Sequence, residues 1–197
     1  MKSKILKILI PILVILLMNS IFIVNEKEQA IITQFGKPVG ITIIKAGLKF
    51  KLPFIHTVLK FDNRILEWDG SVNEIPTKDN KYILIDTFAR WKISNALQFY
   101  KSAKNEMMAQ SRLDDIIDGA VRDEIAIRIM GEIIKSTDRE MVTHESDTGS
   151  DQINEDYVAV GARLEIIESI LFNVDQKLKS LNMGIEIVDV QIKRVSY

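Results

Sequence analysis

The sequence predicts an α+β fold in which helices pack on one side of a mainly antiparallel sheet. Residues 26–93 are rich in β-branched and aromatic side chains and are punctuated by turn residues. After Ser94 the apolar positions take up the period of a helix, and residues 185–195 return to a strand pattern. The predicted order is therefore strands, helices and a closing strand, without an internal repeat.

An apolar segment precedes this domain. Residues 8–24 form an uncharged run of 17 residues behind a start that contains Lys2, Lys4 and Lys7. As a helix the run extends about 26 Å, close to the thickness of the hydrocarbon core of a bilayer. We predict a transmembrane signal-anchor helix, with a cleaved signal peptide and a buried core helix as the alternatives. Its membrane-embedded side chains include Ile8, Leu13, Leu17 and Phe22.

The distribution of charge predicts the orientation. Three lysines lie within residues 1–7, whereas only Lys27 and Lys37 fall in the twenty residues after the apolar run. By the positive-inside rule, the N-terminus stays in the cytoplasm and the domain over 25–197 is exported. Without the first three lysines, 23 basic and 27 acidic residues leave a net charge of −4. We therefore expect neither a polybasic membrane-surface patch nor nucleic-acid binding.

Strand signals occupy the first half of the domain. The strand predicted over 28–35 ends at the turn Gly36-Lys37-Pro38. Residues 65–75 and 82–93 flank the polar turn 77–81, which predicts a hairpin. One face of the second arm is apolar or small throughout, as expected of a half-buried strand: Ile83, Ile85, Thr87, Ala89, Trp91 and Ile93.

Helix signals begin after the hairpin. Ser94 or Asn95 is the candidate cap of a short helix that ends near Ala103. Asn105 is the candidate cap of a long helix that continues to about Lys135.

A second helical stretch, from about residue 156 to 181, repeats apolar residues at alternate spacings of four and three. A polar loop over 143–156 precedes it and Gly184 ends it. The repeat fits a helix docked on its own sheet, and it also fits a seam with a neighbouring subunit. The candidate subunit-contact residues are Val160, Leu164, Ile167, Leu171, Val174, Leu178 and Leu181.

No residue pattern indicates catalysis, a cofactor or a metal site. The chain has no cysteine, His56 has no partner cluster, and His144-Glu145 lacks a second histidine four positions later. Asp114 and Asp118 share a helix face, and a solvated face is favoured over an acid–base pair because nothing nearby indicates perturbed pKa values. We therefore expect no catalytic residues, no cofactor and no metal.

Several separated motifs resemble the SPFH (band 7) family, which includes stomatin, prohibitin and flotillin. The segment AGLKFKLPFI is similar to the family's PGLHFKIPFI, with alanine in place of the first proline. The closing segment resembles the HflK/HflC branch. The motifs follow one another in the family's order, and they are Glu26–Ile32, Phe35–Lys37, Ala46–Ile55, the pair Asp62 and Arg64, Ile85–Thr87, Arg90–Ser94 and Leu181–Val195.

The resemblance implies a non-enzymatic scaffold with an SPFH domain, anchored in the bacterial inner membrane with that domain in the periplasm. It implies a hetero-oligomer with an HflK-like subunit, a lipid bilayer as partner, and an FtsH-type AAA+ protease whose access to substrates is restrained. The alternatives are a stomatin-like regulator of another membrane protein and an anchored or secreted hydrolase that uses Asp114 and Asp118. In that branch a coiled coil usually follows the closing strand, so an end at Tyr197 predicts a fragment or a truncated variant.

Overall fold

The computed structural model describes residues 18–134 and 163–196. The order of elements confirms the predicted succession of strands, helices and a closing strand. In chain order the described elements are β1 (Ile21–Val24), β2 (Glu28–Gln34), β3 (Lys37–Ile43), β4 (Gly47–Phe50), β5 (His56–Asp62), β6 (Leu66–Asp69), β7 (Asn73–Pro76), β8 (Tyr82–Ile93), α1 (Ala96–Ser102), α2 (Glu106–Ala126), α3 (Met130–Ile134), α4 (Arg163–Ser180) and β9 (Ile185–Ser196).

The strands form three sheets. Strand β1 pairs with β4, β2 lies between β3 and β5, and β8 pairs with β6, β7 and β9. The β1–β4, β2–β3, β2–β5 and β7–β8 pairs are antiparallel. The prediction of mainly antiparallel strands is confirmed. The prediction of one sheet is wrong, because the short strands β1 and β4 pair with each other and not with the neighbouring strands.

The chain forms two compact units, and the long elements β8, β9, α2 and α4 contribute residues to both. The alternation predicted for β8 is confirmed, since all six residues of the apolar face are buried. Of the described residues, the first unit comprises 18–66, 91–109 and 178–188, and the second comprises 67–90, 110–134, 163–177 and 189–196.

Aromatic side chains form the centre of the first unit. The Phe99 ring packs edge-on against Phe61, with 5.3 Å between centroids, and stacks with Trp91 at 6.4 Å. The buried Gln29 side chain donates from Nε2 to the carbonyl of Ile93 at 2.8 Å, so its amide group is paired. These contacts join helix α1 to strands β5 and β8.

Asparagine caps begin two of the helices. Asn95, and not Ser94, caps α1, because its Oδ1 accepts hydrogen bonds from the backbone amides of Leu97 and Gln98. Asn105 caps α2 as predicted, and its Oδ1 accepts from an amide in the first turn at 2.8 Å.

The predicted end of the long helix that begins after Asn105 is wrong, because α2 ends at Ala126 and not near Lys135. The turn between β7 and β8 bonds to the backbone at this break. The Lys78 amide donates to the carbonyl of Arg128 at 2.9 Å. The first amide of α3 donates to Asp79 Oδ1 at 3.2 Å, so that a distant carboxylate caps a new helix.

The Asp79 carboxylate makes the stability of this junction dependent on pH. It accepts from the Thr77 hydroxyl at 2.6 Å and pairs with Lys81 at 3.1 Å. The Thr77 bond, followed by the Lys81 and α3 bonds, lowers the pKa of Asp79 to about 2. Because this is below the ordinary value of 3.8, the ionised carboxylate stabilises the fold above about pH 4, and the effect is lost as the pH falls toward 2.

We expect Asp79→Ala to destabilise the second unit by about 1 kcal/mol at neutral pH, the usual magnitude for loss of a helix cap. The loss should shrink as the pH is lowered through about 3, because the wild-type carboxylate is then partly protonated. Thermal unfolding followed by circular dichroism at several pH values measures both. The exposed Asp123 on α2 supplies the control Asp123→Ala. A loss for Asp79→Ala that is constant from pH 7 to pH 2.5 would contradict the assignment.

Candidate membrane-facing surface

Strands β1 and β4 form a two-stranded ribbon with one exposed apolar face. Ile21 lies opposite Phe50, and Ile23 lies opposite Leu48. Side chains alternate along a strand and directly paired residues share a face, so these four side chains point the same way. All four are exposed, whereas Val24 on the other face is fully buried. The ribbon thus presents an uncharged apolar face, while its other face is partly buried, with Phe22 and Lys49 half-buried.

The exposed face adjoins one end of the three-stranded sheet. Gln34 at the end of β2 lies opposite His56 at the start of β5, so the turn after β2 lies beside the loop before β5. The Lys51 amide donates to the carbonyl of Ser20 at 2.8 Å, which brings residues preceding β1 to the start of the same loop. We name the exposed apolar side chains of this end the apolar pole: Met18, Ile21, Phe35, Phe50, Leu52, Phe54 and Ile55.

Two aromatic residues of the apolar pole have strained backbone conformations. Phe35 has a φ of +49° and Phe54 a φ of +66°, and this left-handed region costs about 1–2 kcal/mol for a residue with a Cβ. The two residues are 86% and 81% exposed, so packing against the described residues offsets little of that cost. Glycine or asparagine would adopt the same backbone more easily and expose no ring. The combination makes these two side chains candidates for contact with something beyond the described residues.

Hydrogen bonds hold the strained segments in place. The His56 amide donates to the carbonyl of Leu52 at 3.1 Å, and the Leu52 amide donates to His56 Nδ1 at 3.3 Å. The turn before β3 is tied to α1 by the Tyr100 hydroxyl, which donates to the carbonyl of Gly36 at 3.2 Å. His56 therefore closes the loop that presents Phe54.

Lysines accompany the apolar pole, and its segment contains no carboxylate. Residues 29–61 include five lysines and neither Asp nor Glu, which gives +5 in a chain whose net charge is −1. Lys37 follows the turn of Phe35, and Lys51 begins the loop of Phe54. The five lysines do not form one cluster, because Lys60 pairs with Glu28 and Lys45 follows β3 toward the other end of the sheet. The expectation that the exported part lacks a polybasic patch stays a prediction.

The anchor prediction is only partly covered by the described residues. The prediction that its last four residues, 21–24, are helical is wrong, since they form strand β1. Phe22 is a half-buried residue of the ribbon. Ile21, Ile23 and Val24 are β-branched and favour an extended backbone, which pairing with β4 satisfies. Across 18–134 and 163–196, no helix has both the length and the apolar character needed to cross a bilayer. The other anchor residues lie outside the described ranges: Ile8, Leu13 and Leu17.

The residues predicted for a subunit contact on α4 do not share one environment. They are buried (Val174, Leu178), half-buried (Ile167, Leu171), exposed (Leu164, Leu181) or outside the described residues (Val160). The buried face follows a constant spacing of four: Ile166, Ile170, Val174 and Leu178. On the other side of the helix, Leu164 is 71% exposed and Phe172 is 62% exposed, with the exposed Glu168 between them. These residues form a strip that the described residues leave uncovered, apolar at its ends and charged at its centre.

Asp114 and Asp118 lie one turn apart on α2 and have different surroundings. The indole Nε1–H of Trp68 donates to Asp114 Oδ1 at 2.5 Å, which gives Asp114 a structural role. Burial raises the pKa of Asp118, and the neighbouring Asp114 and Asp115 raise it further, while a hydrogen bond with Asn73 opposes them. The expectation that nothing nearby perturbs the pKa of these carboxylates is therefore wrong for Asp118.

The remaining candidates add no site to the described part of the chain. His144 and Glu145 lie outside the described ranges. Within those ranges, no three His, Asp or Glu side chains are grouped closely enough to hold a metal ion. The expected absence of catalytic residues and of a cofactor stays a prediction.

The chain belongs to the SPFH domain / Band 7 family, since the family's model matches residues 22–197. The family inferred from the motifs is confirmed.

Proteins named HflC are among the relatives. Protein HflC of Borreliella burgdorferi is 35% identical over 96% of this chain and 59% of its own length. Protein HflC of Treponema pallidum is 31% identical over 93% of this chain and 58% of its own length. The modulator of FtsH protease HflC of Escherichia coli is 28% identical over the whole chain and 64% of its own length. The chain thus spans about three-fifths of the length of these relatives.

Proposed function

We propose that the protein is an HflC-like membrane-anchored scaffold, which pairs with an HflK-like subunit and modulates an FtsH-type AAA+ protease by controlling the access of substrates. The apolar pole carries this proposal, because an exposed and strained aromatic surface beside the end of an apolar N-terminal run fits a domain held at a bilayer. The Escherichia coli relative named as a modulator of FtsH protease supports the regulatory role.

The proposed topology places the N-terminus in the cytoplasm and the SPFH domain on the periplasmic side of the bacterial inner membrane. The lysines before the apolar run support it. Because the chain has no cysteine, Glu74→Cys on the exposed side of β7 gives a unique label site. A membrane-impermeant maleimide should label it in intact spheroplasts. Labelling only after lysis would contradict the topology.

The proposed mechanism requires no catalytic group. Anchored domains share a plane, so their effective concentration is high and weak lateral contacts suffice to build a wall that excludes substrates. The uncovered strip of Leu164 and Phe172 on α4 is the surface we propose for such a contact. The stomatin-like and hydrolase functions are the alternatives to be tested against it.

Crosslinking of the full chain in its native membrane, followed by mass spectrometry, tests the partners. We expect an HflK-like chain and an AAA+ protease among the crosslinked proteins, and fewer of them with Leu164→Asp. The exposed Asp123→Lys on α2 controls for a change of surface charge. Recovery of another membrane protein in their place would favour the stomatin-like function. Peptidase activity that disappears with Asp114→Asn and Asp118→Asn would favour the hydrolase.

A further inference from the structure

We infer that the apolar pole, together with Lys37 and Lys51, binds bilayers that carry anionic lipid headgroups, so that docking of the first unit on the membrane is selective for anionic lipids. The inference rests on the proposed membrane anchoring and adds the chemistry of the lipid. It is carried by the charge and the arrangement of the segment 29–61.

The lysines of this segment differ in whether a carboxylate neutralises them. Lys60 pairs with Glu28 at 2.8 Å. Among the described residues, neither Lys37 nor Lys51 is within ion-pair distance of a carboxylate. Both lie next to residues of the apolar pole, so their positive charge is available to an external anion.

The arrangement fits a lipid surface better than a second protein. The last four residues of the apolar run form β1, so an anchored chain places β1 at the membrane boundary. Phe35 and Phe54 can then enter the boundary between headgroups and acyl chains, while the lysines beside them lie level with the phosphates. Each lysine near an anionic surface strengthens binding roughly five-fold.

The opposite end of the same sheet supplies a matched control. Lys27 directly precedes β2, and Lys45 follows β3, whose Ile43 lies opposite Ala30 near the start of β2. With seven residues in β2, these lysines lie about 20 Å along the strands from the turn that carries Phe35. That distance exceeds the Debye length of about 8 Å at physiological salt, so they should contribute little to docking.

The experiment uses the full chain reconstituted in nanodiscs, with Leu52→Cys carrying an environment-sensitive fluorophore at the apolar pole. Asn63→Cys, just beyond β5, reports on the opposite end. Discs of phosphatidylcholine alone are compared with discs that contain about 30 mol% phosphatidylglycerol. We expect the Leu52 label to shift to the blue and to resist an aqueous quencher in the anionic discs. The Asn63 label should remain accessible in both.

Removal of charge gives the quantitative test. Lys37→Gln/Lys51→Gln should lower the ratio of docked to free protein in anionic discs by about 25-fold, from roughly five-fold per lysine. Lys27→Gln/Lys45→Gln should change the ratio by less than about two-fold. Added salt should reproduce the loss in the first case, because exposed charges are screened.

The contrary outcomes are separable. Equal protection of the Leu52 label in neutral and anionic discs would overturn the selectivity and leave the membrane anchoring intact. An accessible label in both kinds of disc would overturn the apolar pole as a membrane-facing surface, and with it the observation that carries the proposed function. Protection that depends on the number of copies per disc and not on lipid charge would assign the surface to a protein contact.

Discussion

Gly184→Ala is expected to destabilise the first unit by about 2–5 kcal/mol, the sum of backbone strain and a steric clash. Gly184 has a φ of +69°, which an alanine adopts only with strain. A Cβ there would lie 2.5 Å from the carbonyl oxygen of Asn95 and 2.7 Å from the amide nitrogen of Phe99. These are backbone atoms at the start of α1, and the amides of Ser94 and Asn95 both donate to the carbonyl of Gly184. Relief of the clash would therefore break the bonds that hold the helix.

Gly36→Ala is the matched control for this prediction. Gly36 has a φ of +78°, but a Cβ added there meets nothing within 4 Å. Its cost should be the strain alone, about 1–2 kcal/mol. Chemical denaturation of the detergent-solubilised full chain, followed by tryptophan fluorescence, measures both variants because Trp91 lies in the core of the first unit. Equal losses for the two variants would show that the clash at Gly184 is relieved without consequence.

The features that were predictable from sequence depend on short-range rules. The alternation in β8 and the caps at Asn95 and Asn105 each follow from a few neighbouring residues. The stop predicted at Gly184 is wrong, because α4 ends at Ser180 and the left-handed residue behind it is Asn182, with a φ of +50°. The end of α2 did not follow from such rules, because Lys78 and Asp79 bond to the backbone of Arg128 and Met130, just beyond the helix, from a hairpin that lies far away in sequence.

The last residues of the apolar run show the same limit. A run of apolar residues is compatible with a helix or with a strand, and the partner strand decides between them. Here the partner is β4, which lies more than 20 residues further along the chain. The periodicity of the run carries no information about that pairing.

The apolar pole was not predicted, because apolar residues in a strand pattern are normally assigned to the core. Phe35, Phe50 and Phe54 come together only through the register that places Gln34 opposite His56 and the hydrogen bond between Lys51 and Ser20. One signal was available in the sequence, the lack of any carboxylate between Glu28 and Asp62. A net charge taken over the whole exported part concealed it.

The second large expected effect on stability concerns helix α4. The residues predicted for one subunit contact lie on two surfaces of this helix, one buried and one exposed. Val174→Asp places a carboxylate at a fully buried position, and an unpaired buried charge typically costs 3–5 kcal/mol. Leu164→Asp replaces a residue that is 71% exposed, so its effect on stability should stay within about 0.5 kcal/mol. We therefore expect Val174→Asp to unfold the second unit and Leu164→Asp to retain the wild-type circular dichroism spectrum and melting temperature.

A measurement of subunit association distinguishes the exposed surface of α4 from the buried one. If the strip of Leu164 and Phe172 contacts a neighbouring subunit, Leu164→Asp should reduce crosslinked oligomers in the membrane about 10-fold or more, since a charge is then buried in an apolar contact. Leu164→Met keeps an apolar side chain of similar volume and should leave the oligomers unchanged. A folded Leu164→Asp protein that crosslinks as well as wild type would show that α4 serves only its own chain. The wall of scaffold domains would then require a different lateral contact.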